Sequence, residues 1–178
     1  CENAEGEFIV DLDSQIYDNT TQLTIPEGMT INCRKFIVKG DGYLNNTSNT
    51  GIICNGSVIC DEFYVKNVGK NTERDLPYFT TGCSFSLVTN IAELSYLYEI
   101  QPMRGTWKAD EIRIVNGQGQ NLSLPECSDI STKSFIVNIN VSNGVIIEGH
   151  LIAEMIESTA NIYLQYNGTP SNYAVITV

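Results

Sequence analysis

Apolar and polar residues alternate along most of this chain in short runs closed by Gly, Asn or Pro, as in RKFIVKG, DEFYVKN and KSFIVN. A period of two puts successive side chains on opposite faces of an extended strand. Stretches with helical period are almost absent. The nearest, IAELSYLYEI, is rich in Tyr and Ile and reads as strand. The pattern predicts an all-β chain of many short strands.

The strands repeat. CRKFIVKG begins at Cys33 and CDEFYVKN at Cys60, and each runs Cys, two charged residues, Phe, two β-formers and Lys. The same phrase of two polar or small residues, an apolar anchor and β-formers recurs with anchors Phe8, Phe36, Phe63, Leu94, Ile112, Phe135 and Ile156. Successive anchors are 28, 27, 31, 18, 23 and 21 residues apart. Upstream, GIICNGSVICDEF (51–63) aligns without gaps on GCSFSLVTNIAEL (82–94). Gly56, Gly105 and Gly149 each stand seven residues before an anchor, and Gly28 stands eight before. One unit reads as short strand, glycine turn, short strand, polar pair, anchor, strand.

A strand–turn–strand phrase at irregular spacing predicts a β-solenoid of about seven irregular coils. Equivalent residues would stack at about 4.8 Å, with coil length varying in loops. The stretches 40–51 and 66–82 read as such loops. A β-sandwich is the alternative, because turn signals every ~8–12 residues also fit one. The chain reads as a single all-β domain, 1–178, with 161–178 as a terminal strand or hairpin turning at Asn167-Gly168. On these repeats the sequence resembles the parallel β-helix (β-solenoid) class of extracellular proteins, which includes carbohydrate-active enzymes, adhesins and filament or surface-layer components. In stacked register Phe36 would lie near Phe63, and Arg34-Lys35 would face Asp61-Glu62.

Charge changes the picture by exclusion. The net charge of −11 comes without a basic cluster, so nucleic acid and anionic membranes are poor partners. No apolar run of about 18 residues predicts a membrane span. The opening at Cys1 reads as a mature, processed end.

Six cysteines with a single histidine favour disulfides and an oxidising, extracellular setting over a zinc cage. Buried free thiols are the alternative. Stacked coils would bring Cys33 to Cys60; Cys54 with Cys83 is a weaker pairing, and Cys1 with Cys127 follows by elimination. Asn-x-Ser/Thr occurs at Asn19, Asn45, Asn46, Asn55, Asn121, Asn140 and Asn167. These are candidates for N-linked glycan, against a turn-rich composition as the plain explanation.

Candidate chemistry is sparse. Asp61 and Asp110, with Glu62 and Glu111, fall at equivalent repeat positions and could assemble a carboxylate site, although a polar pair at a coil corner is the favoured reading. The Gly-His-Gly motif of polygalacturonase-like enzymes is missing at His150. Asp11, Asp13 and Asp18 are a calcium candidate without the usual loop order, and a solvated strand face is favoured. Trp107 reads as packing. No catalytic residue, resident metal or cofactor is expected.

The expected function is an extracellular structural or surface-assembly subunit that self-associates through exposed β edges. A carbohydrate-binding or adhesive module is the first alternative. A polysaccharide lyase or glycoside hydrolase is the second.

Overall fold

The structure is a computed structural model that describes residues 4–11, 22–39, 51–66, 78–95, 101–119, 122–141, 144–164 and 175–177. These contain β1 (Ala4–Asp11), β2 (Gln22–Ile25), β3 (Thr30–Lys39), β4 (Gly51–Cys54), β5 (Ser57–Ile59), β6 (Glu62–Lys66), β7 (Tyr78–Thr81) and β8 (Ser86–Ser95). They continue as β9 (Gly105–Gly119), β10 (Leu122–Leu124), β11 (Ser128–Val141), β12 (Val145–Ile147), β13 (His150–Ser158), β14 (Ile162–Leu164) and β15 (Val175–Thr177). The described residues hold no helix.

The protein is all-β, and every pairing among the described residues is parallel. The main sheet runs β1-β3-β5-β8-β9-β11-β13-β15, with β6 also between β3 and β8. Two three-stranded sheets, β2-β4-β7 and β10-β12-β14, take the strands in between. Main-sheet neighbours therefore follow chain order. An antiparallel sandwich would need hairpin pairs, and none occurs among the described residues.

Register follows the repeated phrase. Phe8, Phe36, Phe63, Ala92, Ile112, Phe135 and Ile156 form one column of in-register partners. Six of the seven anchors are thus placed as expected. The fourth is corrected: Ala92, not Leu94, lies on Phe63, and Leu94 pairs with Val65. The cause is a longer corner. Cys54 partners Thr81, but Ser57 partners Ser86, so Gly82–Phe85 holds two residues more than Asn55-Gly56. An even shift keeps the inward face inward, and Leu94 stays buried.

The core lies behind this column. Phe8 stacks on Phe36, and Phe36 on Phe63, with ring centroids 5.1 Å apart in both cases. Phe63 then meets Trp107 edge-on at 5.9 Å. A second inward column runs Ile31, Val58, Leu87, Trp107, Ile130 and Leu151, all buried. Burying each such side chain contributes about 1.5–3 kcal/mol.

Corners alternate in length. Residues 26–29, 82–85 and 125–128 form four-residue turns, closed by Met29 N–H to Pro26 O, Phe85 N–H to Gly82 O and Ser128 N–H to Pro125 O. Short corners at Gly56, Gly105 and Gly149 each follow one of these long corners. A Cβ at Gly56 would sit 2.5 Å from both Met29 O and Pro26 O, and one at Gly149 2.4 Å from Pro125 O and Ser128 O. Only glycine lets the short corner nest on the carbonyls of the long one. At Pro102 the run of short strands breaks into the two three-stranded sheets. Proline has no N–H for a ladder, and Arg104 N–H instead donates to Thr81 Oγ1 at 3.0 Å.

Candidate functional site

Each long strand of the main sheet bends between two halves, so the outer surface carries a first face, a corner and a second face. In β3 the halves are Thr30–Asn32, paired with β5, and Lys35–Lys39, paired with β6. Position in the repeat decides what each outward side chain meets.

On the second face, charges pair across strands. Lys35 is the register partner of Glu62, and Lys35 Nζ lies 2.9 Å from Glu62 Oε2. Arg34 reaches back to Glu7 at 3.0 Å. Tyr64 O–H donates to Glu62 Oε2 at 2.8 Å, and the Lys66 ammonium lies 4.3 Å from the Tyr64 ring centroid. The hydrogen bond from Lys35, then that from Tyr64, holds the Glu62 carboxyl below its ordinary value. The Glu62 hydrogen bond, with burial behind it, pushes the Tyr64 phenol up to about 12.

At the corner a groove of about 450 Å³ runs across the strands. Val88, Lys108 and Ile152 line one wall, and Asp110, Lys133 and Glu154 the other. Lys133 Nζ sits 2.8 Å from Asp110 Oδ1, and that bond raises the Lys133 pKa.

The carboxylates singled out from the sequence do not converge on one reacting point. Glu62 and Glu111 share a column but are separated by Ile91 in β8. Glu62 pairs with Lys35, Glu111 with Arg113, and Asp110 with Lys133. His150 stands exposed at the start of β13, and Trp107 is wholly buried, with its indole N–H donating to Arg104 O at 2.9 Å. Asp11 ends β1 opposite Lys39, while Asp13 and Asp18 lie outside the described residues. Among the described residues no three His, Cys, Asp or Glu are grouped to hold a metal ion.

The cysteine pairings require correction. Cys83 bonds Cys127, with Cα atoms 5.4 Å apart, and Cys33, Cys54 and Cys60 are buried free thiols. Cys54 points into the core from β4 while Cys83 is exposed on a turn, so those two cannot meet. The Cys60 thiol donates to Thr89 Oγ1 at 3.6 Å, and Cys33 and Cys60 are not bonded to each other. Cys1 lies outside the described residues. Cys83 and Cys127 occupy successive four-residue corners and bridge over the short corner at Gly105. The sequence held a signal for this. TIPEGMTINCRKF (24–36) aligns without gaps on SLPECSDISTKSF (123–135), marking two of the long corners.

Of the seven sequons, Asn55 is half-buried in a short corner, its Oδ1 lying against Gly82. Asn140 lies in β11. Asn19, Asn45, Asn46, Asn121 and Asn167 lie outside the described residues.

The ends of the sheets form the remaining candidate surface. At the N-terminal end a cleft of about 200 Å³ is lined by Phe8, Leu23, Ile25, Met29 and Ile31. At the C-terminal end, within 161–178, β14 pairs with β12 and β15 with β13. Tyr163 and Leu164 are 49% and 57% exposed there, a large apolar surface for strand residues. No helix among the described residues is long and apolar enough to cross a membrane. The Cys83–Cys127 disulfide is compatible with an extracellular protein.

Comparison with protein-family models, with curated proteins and with solved structures finds no match.

Proposed function

We propose that the chain winds as a β-solenoid of about seven irregular coils and serves as an extracellular structural subunit that self-associates into a filament or coat. One observation carries this reading. Parallel strands stack in chain order and in register from β1 to β15, and the strands at both ends of the stack carry exposed apolar side chains. Unpaired strand backbone is a template for another chain. Contacts between unlike ends do not close on themselves and give open assemblies. The Asn-x-Ser/Thr sequences, of which Asn55 lies in a short corner, are the candidate positions for glycan. Static light scattering across a dilution series, with negative-stain microscopy, tests the proposal. Concentration-dependent growth into elongated particles is expected, and a monomer at every concentration overturns it.

The corner groove favours a second reading, a carbohydrate-binding or adhesive module. Its aliphatic wall with Lys108, Asp110 and Glu154 offers both stacking surface and hydrogen-bonding groups to a sugar chain. A glycan array tests this directly. A polysaccharide-cleaving enzyme stands behind both, because Glu62, Asp110 and Glu111 are each engaged by a cation.

A further inference from the structure

The two ends of the stack are cut at complementary places. A full tier has three parts: a strand of a three-stranded sheet, then the first and second halves of the main-sheet strand. β2 with β3 is such a tier. Among the described residues before it there is only β1, which lies along the second half of β3 through Glu7–Asp11. Among the described residues, no strand lies on that side of Thr30–Asn32 or of β2. The last tier has the other two parts. β14 lies on β12, and β15 lies on the first half of β13, His150–Ile152. No described strand lies beyond the second half, Met155–Ser158. Among the described residues each end carries the parts that the other lacks.

Resting on the self-association reading, we infer that copies join head to tail by building one composite tier from β14 and β15 of one copy and β1 of the next. The columns fix its register. Phe8 of the next copy continues the column at Ile156, and Glu7 stands opposite Met155. Leu23 and Ile25 of the next copy continue the inward positions of Ile162 and Leu164. Residues Val175–Thr177 enter beside Thr30–Asn32, where the cleft of about 200 Å³ lies. The chemistry matches: the cleft is lined mainly by apolar side chains, and residues 173–178, YAVITV, carry no charge. Ladder bonds left open at both ends are closed in one step.

Disulfide trapping in the full chain tests the composite tier. The double variant Glu7→Cys with Met155→Cys places two outward thiols one strand spacing apart across the junction, within reach of a bridge. On mild oxidation it is expected to give a ladder of covalent multimers that reductant collapses. The unmodified chain and the pair Glu7→Cys with Lys108→Cys are expected to give none. Leu164→Asp, at a half-exposed position, is expected to raise the concentration needed for assembly on the order of tenfold. Assembly by light scattering without the Glu7–Met155 link, or unaffected by Leu164→Asp, overturns the composite tier and leaves self-association standing. A monomer at every concentration overturns both.

Discussion

Lys35 and Glu62 are register partners on adjacent strands, and their Nζ and Oε2 atoms lie 2.9 Å apart. The pair stabilises the stack only while Glu62 is ionised. Its carboxyl pKa is lowered in the folded protein, so this contribution is present above the ordinary carboxylate value and is lost as pH falls through the folded value. Glu62→Lys sets like charges side by side and is expected to lower the melting temperature. Adding Lys35→Glu is expected to recover most of the loss, as measured by thermal unfolding of the four members of the cycle. Equal losses in the single and double variants would mean that the two side chains do not face each other.

Phe63 is expected to be the costliest single truncation. Its ring stacks on Phe36 at 5.1 Å and meets Trp107 at 5.9 Å with no exposure. Phe63→Ala should cost about 3–5 kcal/mol in denaturant unfolding, and Phe8→Ala, in the half-buried end copy of the same column, distinctly less.

The short-corner glycines are expected to resist even alanine. At Gly149 a Cβ would lie 2.4 Å from two backbone carbonyls that the long corner holds in place. Gly149→Ala should cost about 1–3 kcal/mol, whereas Gly6→Ala, with nothing within 4 Å, should be close to neutral. Chemical denaturation of both variants makes the comparison.

The repeat was legible where its residues are large or conformationally special. Phe36, Phe63 and Phe135 mark one column because an aromatic side chain at that position fills the core. Gly56, Gly105 and Gly149 mark another because only glycine fits against the preceding carbonyls. Ala92 was hidden because a small inward residue carries no pattern, and Leu94 two places on gave the same alternation. The charge match of Lys35 with Glu62 could be read once stacking was assumed. The disulfide could not be read from stacking of the Cys33 and Cys60 phrases, because it depends on corners: Cys83 and Cys127 meet only because the corner at Gly105 between them is short.

Thiol chemistry separates the cysteines. Burial pushes Cys54 up to about 12 and Cys60 to about 11, and it also raises Cys33. Native protein near pH 8 is expected to leave these thiols unreacted toward a disulfide reagent, and unfolded protein to expose them. Because the folded values are raised, stability is full below the ordinary thiol pKa and declines as pH climbs from about 9 toward those values. Reducing Cys83–Cys127 should cost about 2–4 kcal/mol. Peptide mapping that joins Cys54 to Cys83 would contradict the placement of both.

Helical reconstruction of the assembled protein by cryo-electron microscopy tests the central claim most directly. Six tiers within a copy and one composite tier between copies, at about 4.8 Å each, predict an axial rise of about 34 Å per subunit with the strand spacing along the filament axis. A rise well away from that value, or strand spacing running across the axis, would contradict continuous stacking of the tiers from one copy into the next.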